Sequence, residues 1–293
     1  RGGIATSLEE ALAVADEIGY PVLVRPSFVI GGLAIDFCYG PDDLARQLAV
    51  ATVITEDRPV RIDAYLEGLE VDVDAVTDGT DVLIPGLMEH VERAGVHSGD
   101  STAFFPPQQL SGVDQGLIVE AMRRICLEVG VKGLVNAQFI VREDGVYILE
   151  VNPRASRTVP FLSKVTGVPM VALATRIGQG ATLSELGWSD GLLPEPDFVA
   201  VKAPVFSTYK LRGVDPSLGP GMQSTGEVIG IHEQAPVALA KALHSAALHP
   251  AVPGDGGAEV LLSVADRDKD RIGELAGALA TVGYRFSATH GTA

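Results

Sequence analysis

Apolar and polar positions alternate most regularly across residues 133–157, which read G-L-V-N-A-Q-F-I-V-R-E-D-G-V-Y-I-L-E-V-N-P-R-A-S-R. Two apolar, β-branched runs flank Glu143-Asp144-Gly145, the pattern of a β-hairpin. With those residues as the loop, Arg142 pairs with Val146. The same register sets Gln138 opposite Glu150 and Asn136 opposite Asn152. Side chains alternate faces along a strand, so Gln138, Glu150 and Asn152 all project to one side.

The rest of the chain divides into segments of helical and strand period. Ser7 caps a helix predicted to run to about residue 18, with Glu9 and Glu10 complementing its N-terminal dipole. Strands are predicted at 22–24, 34–39 and 60–65, and a second helix runs from Asp42 to about residue 53. Residues 1–66 thus form a small α+β lid, truncated at its start. Strands at 70–77 and 81–89, a loop at 93–109 and a helix at 113–129 precede the hairpin. An apolar helix at 160–178, a loop and short-helix region at 182–196 and a strand at 198–206 follow it. Residues 207–230 are rich in Gly and Pro and are predicted irregular, wrapping the body. The body therefore covers 67–234. Composition shifts at about 235. A helix at 236–248, a linker-like P-A-V-P-G-D-G-G (250–257), a strand at 259–264, a helix at 268–282 and a strand at 284–289 begin a doubly wound α/β domain over 235–293.

Composition narrows the function classes. At 46% hydrophobic over 293 residues the chain can bury a full core. A net charge of −16 argues against nucleic acid and anionic membranes as partners. No apolar run approaches the ~20 residues of a membrane helix. Cys38 and Cys126 read as buried reduced thiols, which fits the cytoplasm. Arg1 opens the chain without a Met and residue 293 closes it without a following helix, so both ends are expected to be cuts in a longer protein.

The chemistry concentrates at the hairpin. An oxygen-only donor set suits Mg2+ or Mn2+, which share their coordination with phosphate oxygens. Arg154 and Arg157 follow at once, placed to meet such phosphates. On alternation alone a surface hairpin with a polar outer face fits equally well. The crowding of Glu, Asn and two Arg at one strand end favours a site. Arg25-Pro26-Ser27 leads into Gly31-Gly32, where backbone could approach an anion. The strand at 70–77 starts with Glu70 and carries Asp72 and Asp74 on the same face, a pattern that also fits a solvated acidic edge. His90 and His97, interleaved with Glu92, Ser98, Asp100 and Ser101, favour a site. The absence of a Cys cluster or His-x-x-x-His points away from zinc.

These same segments resemble carbamoyl-phosphate synthase large subunits, in their second ATP-grasp half. The matching stretches are V-R-P-S-F-V-I-G-G (24–32), E-V-D-V-D-A-V (70–76), M-E-H-V-E-R-A-G-V-H-S-G-D-S (88–101), N-A-Q-F (136–139), E-V-N-P-R-A-S-R-T-V-P-F-L-S-K-V-T-G-V-P (150–169) and S-T-G-E-V-I-G (224–230). The resemblance covers essentially the whole chain. It implies an ATP-grasp lid and antiparallel body, followed by the start of a methylglyoxal-synthase-like domain. It implies that ATP phosphorylates carbamate to carbamoyl phosphate, in glutamine-dependent synthesis serving pyrimidine and arginine formation. It places Arg25, Gly31, Gly32, Glu70, His97, Ser101, Gln138 and Glu150 at the nucleotide. Gln138, Glu150 and Asn152 would hold two divalent ions, with K+ a further cofactor, and Arg25, Arg154, Arg157 and His90 would serve catalysis. An effector nucleotide is implied at Ser263, Lys269, Thr289 and Thr292. Implied partners are a glutaminase small subunit and an oligomer of heterodimers. Residues matching Glu92 and Asp100 bind an activating amino acid in some relatives, whereas Ala203 and Leu33 depart from the family pattern. The isolated chain, lacking upstream parts, is expected to be inactive. Another ATP-grasp ligase, such as a biotin-dependent carboxylase, would share E-V-N-P-R but lack A-G-V-H-S-G-D-S; a non-catalytic nucleotide-binding module is the other alternative.

Overall fold

The computed structural model describes residues 1–26, 35–51, 58–207, 218–248, 258–264, 266 and 269–292. Gly31, Gly32 and Leu33, part of the expected phosphate loop, lie outside the described residues.

The first element group holds β1 (Gly2–Ala5), α1 (Leu8–Ile18), β2 (Val22–Pro26), β3 (Asp36–Cys38), α2 (Pro41–Ala51) and β4 (Val60–Ala64). Its antiparallel sheet has the order β1-β4-β2-β3. Ser7 Oγ accepts the Glu10 N–H at 3.2 Å, satisfying one free helix-end donor, and Glu10 in return accepts the N–H of Thr6, the residue before the cap, at 2.7 Å. Ala11 and Ala15 of α1 pack with Leu44 of α2 on Val22, Val24 and Ile62.

The body contains β5 (Leu69–Thr77), β6 (Val82–Ile84), β7 (Leu87–His90), β8 (Ala103–Phe105), α3 (Gly112–Val129), β9 (Gly133–Arg142), β10 (Gly145–Asn152), α4 (Thr158–Thr166), α5 (Met170–Gly178), β11 (Gly191–Leu192), β12 (Val199–Val205), β13 (Gly226–His232) and α6 (Ala235–Ser245). They build a nine-stranded sheet whose main path is β10-β9-β5-β7-β8-β12-β13, with β6 paired to β5 and β11. All the ladders are antiparallel except the short β6–β11 pair. Helix α3 covers one face with Ile118, Met122 and Cys126 against Val71, Val73, Ala137 and Phe139. Burying Ile118 and Met122 contributes roughly 1.5–3 kcal/mol each. Helices α4 and α5 cover part of the other face, through Phe161, Leu162, Met170 and Leu173 against Val76, Met88 and Ala200.

Several elements differ from the sequence expectation. The strand predicted over 81–89 is two strands, β6 and β7, separated by Pro85-Gly86. Proline lacks a ladder donor, and a Cβ at Gly86 would meet the Phe105 ring at 2.1 Å. The helix predicted over 160–178 is two, bent by 107°; Gly167 takes a left-handed φ of 74° and Pro169 starts the next helix. Strands β8 and β13 form inside segments predicted as loops, and β1 was not foreseen. Helix α6 packs Ala238 and Ala242 on Val201 and Ala203. Gly230 permits this approach, since a Cβ there would lie 2.2 Å from the Ala238 carbonyl. The chain divides into compact units between Ala246 and Ala247, so α6 sits with the body, after the compositional shift at 235.

The second unit contains β14 (Ala258–Leu262), α7 (Lys269–Thr281) and β15 (Tyr284–Ala288). β14 and β15 pair in parallel across α7, one right-sized βαβ step. Both cysteines are free and buried, their thiols pushed up to about 11 by burial. Among the described residues no single helix is long and apolar enough to cross a membrane.

Candidate functional site

The hairpin reaches its expected register by an unexpected route. Its loop is Glu143-Asp144, with Arg142 paired to Gly145. Val146, Tyr147 and Ile148 then oppose Val141, Ile140 and Phe139. A bulge at Leu149 shifts the register, and Glu150 falls opposite Gln138 and Asn152 opposite Asn136. The three-residue loop is therefore corrected to two residues, while the pairing of the donor residues stands. The bulge changes which parity faces α3: Val146 and Val151 both pack toward it. Gln138, Glu150 and Asn152 share the opposite face and line a cavity of about 710 Å³.

That cavity also takes in Arg25 from β2, Glu70 from β5, His97, Arg154 and Arg157. Residues more than a hundred positions apart in sequence are thus brought together. Arg25 is held by Asp63 at 3.1 Å. His90 and Ser101 are not among the lining residues. The Ser101 hydroxyl, buried, donates to the His97 carbonyl at 3.3 Å. His90 is buried with Nδ1 at 3.4 Å from Glu70, and among the described residues neither ring nitrogen has a hydrogen-bond partner.

The donor set has built-in orientation. Asn152 Nδ2 donates to Glu150 Oε1 at 2.7 Å and to Asn136 Oδ1 at 3.4 Å; Asn136 Nδ2 in turn donates to Asp72 Oδ1 at 2.7 Å. With its NH2 so engaged, Asn152 keeps its amide oxygen for a cation. Among the described residues no group of three or more His, Cys, Asp or Glu could hold a metal alone. One carboxylate and two amide oxygens fit a hard divalent ion that completes its shell with phosphate oxygens.

The loop after β7 is tied down from below. His97 Nδ1 accepts the Gly99 N–H at 3.0 Å, which leaves the proton of a neutral ring on Nε2. Burial holds the His97 pKa below the usual range, against the pull of Asp100, so the ring is neutral at pH 7. Gly99 leaves room for Arg157: a Cβ there would lie 3.3 Å from Arg157 Cδ and 2.9 Å from Met222 Sδ. Asp100 accepts backbone N–H groups of Gln223 and Ser224 at 2.8 Å each, and Glu92 accepts that of Thr102 at 2.6 Å. Lys202, fully buried, donates to the Ser98 carbonyl at 2.9 Å. Burial lowers its pKa, opposed by Glu227, Asp72 and Glu92.

The sequence did not assign three of these residues to the site. Asp72 and Asp74 form no solvated edge, because β5 lies between β7 and β9 and both are 1% exposed. Their signal was the shared parity with Glu70. Lys202 was visible as the lone charge in V-A-V-K-A-P-V. In the second unit, Thr292 Oγ1 accepts from the Val264 N–H at 3.1 Å and from the Thr289 hydroxyl at 3.0 Å. Lys269 pairs with Asp266. Ser263 stands at the carboxyl end of β14, beside that turn.

The family model for the carbamoyl-phosphate synthase L chain, ATP binding domain, matches residues 1–186. The carbamoyl phosphate synthase large chain of Thermomicrobium roseum is 53% identical over 292 residues, covering 100% of this chain and 27% of that protein. This chain therefore spans about a quarter of that relative's length. Two solved structures are similar in fold. The biotin carboxylase domain of Hydrogenobacter thermophilus 2-oxoglutarate carboxylase, in complex with MgADP and bicarbonate, aligns with a TM-score of 0.56 at 22% identity, over 71% of this chain and 47% of that one. A biotin carboxylase–β,γ-ATP complex from Campylobacter jejuni aligns with a TM-score of 0.56 at 16% identity over the same shares. The likeness shows an ATP-grasp-type fold.

Proposed function

Because the chain belongs to the carbamoyl-phosphate synthase large-chain ATP-binding family, we propose that it forms the site at which ATP phosphorylates carbamate, within a longer large chain. The observation that carries this reading is the single cavity lined by the oxygen donors of the hairpin and by Arg25, Arg154 and Arg157. A carbamate oxygen attacks the γ-phosphorus in line, the bond to the β,γ-bridging oxygen breaks, and ADP leaves. Such a reaction needs positioning and charge neutralisation more than covalent help. Gln138, Glu150 and Asn152 would hold Mg2+ or Mn2+, which would supply positive charge against the nucleotide phosphates. Arg154 and Arg157 meet the transferring phosphoryl oxygens as they gain charge. Glu70 accepts from the ribose hydroxyls, and neutral His97 donates a hydrogen bond without adding charge.

The finer reading follows the family. Gly31, Gly32 and Ser101 contribute to nucleotide binding, K+ is a further ion, and His90 contributes to catalysis. The second unit begins a methylglyoxal-synthase-like effector domain that binds a nucleotide at Ser263, Lys269, Thr289 and Thr292. The whole enzyme is a cytoplasmic assembly of heterodimers, each with a glutaminase subunit, and serves pyrimidine and arginine formation. The test is ATP synthesis from MgADP and carbamoyl phosphate, in the complete large chain and in this chain. Synthesis in the complete chain, abolished by Glu150→Gln, is the expected result. MgADP binding with no synthesis there would replace the reading with a regulatory nucleotide module.

A further inference from the structure

The cavity's two functional arms both sit at the periphery of the sheet. The donors Glu150 and Asn152 belong to an edge strand, and Arg154 and Arg157 to the turn that follows it. Edge strands and turns are the mobile parts of a fold. The interior strand β5, paired with β9 over its whole length and on its other side with β7 at Val71–Val73 and β6 at Val76–Thr77, is the rigid neighbour. It reaches each arm through one buried carboxylate. Asp72 takes the donor arm, through Asn136 to Asn152 and Glu150. Asp74 takes the arginine arm: its Oδ2 accepts from the Ser156 hydroxyl at 2.7 Å and from the Thr158 hydroxyl at very close range. Ser156 Oγ also accepts the Thr158 N–H at 3.1 Å. These are the residues immediately before and after Arg157, where α4 begins without a side-chain cap of its own.

We infer that Asp74 is a positioning residue for the phosphate-facing arginines: it clamps Ser156 and Thr158 so that the turn from Arg154 to Arg157 is preset before nucleotide arrives. The inference rests on the phosphoryl-transfer reading above. Two further observations support it. Asp74 is 1% exposed and its Oδ1 has no hydrogen-bond partner among the described residues, an arrangement that costs stability and is therefore poor as a purely structural device. Burial, followed by the charge of Asp72, pushes its pKa up to about 7, so the fold tolerates this carboxylate at a cost.

The test separates clamping from folding. This chain and its Asp74→Ala variant are titrated calorimetrically with ADP and with AMP, both free of divalent metal, so that the donor arm's cation enters neither titration and the arginines are left to answer the β-phosphate. The ratio of the two affinities reads the phosphate-facing arm, and AMP alone reads the rest of the pocket. Asp74→Ala is expected to lose about tenfold of the ADP-over-AMP preference with AMP affinity unchanged. Asp74→Asn, whose amide oxygen still accepts, restores the preference. Should Asp74→Ala fail to fold, the Ser156→Ala/Thr158→Val pair gives the same readout from the other side of the contact. In the complete large chain, Asp74→Ala should lower kcat for ATP synthesis about 100-fold with KM for carbamoyl phosphate unchanged. An intact preference, a parallel fall of both affinities, or a parent chain with no ADP-over-AMP preference overturns the inference. A parent that prefers ADP over AMP, in a complete chain that makes no ATP, overturns the reaction instead; Asp74 is then decided by the nucleotide ratio alone.

Discussion

Strands β5 and β10 present similar side chains to the same face of one sheet and use them differently. Asp72 and Asp74 on β5 are each 1% exposed, on a strand that lies between β7 and β9. Glu150 on β10 is exposed, at the sheet's edge. A carboxylate in the interior must find donors within the protein, and Asp72 and Asp74 find Asn136, Ser156 and Thr158. An edge carboxylate keeps its coordination open to ions. Alternation therefore assigns a face, whereas strand order decides whether acids on that face act as ligands or as anchors.

The sharpest attempt to break this contrast is Glu150→Gln. It is expected to lower carbamoyl-phosphate-dependent ATP synthesis by about 1000-fold or more. The thermal midpoint should stay within about 2 °C, as for other surface substitutions. Parent-level turnover would make β10 a mere solvated face. Lys202→Met probes the buried side. It removes the donor to the Ser98 carbonyl and a buried cation whose charge acts on Glu227, Asp72 and Glu92, and should destabilise the chain by about 1–3 kcal/mol in urea unfolding. A loss below about 1 kcal/mol would show that the interior charges are not coupled.

A third expectation concerns pH. Asp74 moves from an ordinary 3.8 to about 7 in the folded chain. Between those values the native state holds a proton that the unfolded state has released, so this group's contribution to stability falls as pH rises through that window and is level outside it. Asp74→Asn should flatten the decline, its unfolding free energy gaining on the parent's from about pH 4 to about pH 7. Parallel pH profiles would refute the shift. The smallest effect is expected from deleting Leu149. The ladder would run on without its bulge, Glu150 would remain opposite Gln138, and MgADP affinity should drop less than about tenfold through one lost apolar contact. A defect as large as that of Glu150→Gln would mean the bulge itself aims the carboxylate.

Much of the site was legible because its chemistry is local in sequence. Gln138, Glu150, Asn152, Arg154 and Arg157 lie on one hairpin and its exit turn. What stayed illegible depends on neighbours distant along the chain. Lys202 meets Ser98 across 104 positions, and Thr158 meets Asp74 across 84. Strand β13 was hidden by its glycines, since Gly226 and Gly230 mimic loop composition, yet Gly230 is there so that α6 can touch the sheet. The single strand expected over 81–89 failed for the opposite reason: Pro85-Gly86 was read through rather than read as a break.

The hairpin's loop is one residue shorter than its composition suggests, and its second strand is one residue longer. In the language of sequence change these are a deletion and an insertion a few positions apart, and they cancel. A hairpin with a longer loop and no bulge would align to this one without a gap. It would set Ile148 against Ile140 in place of Phe139, yet it would keep Glu150 against Gln138 and Asn152 against Asn136. The tip of the hairpin is thereby free to vary in length and frame, and the last three pairs inherit none of that variation.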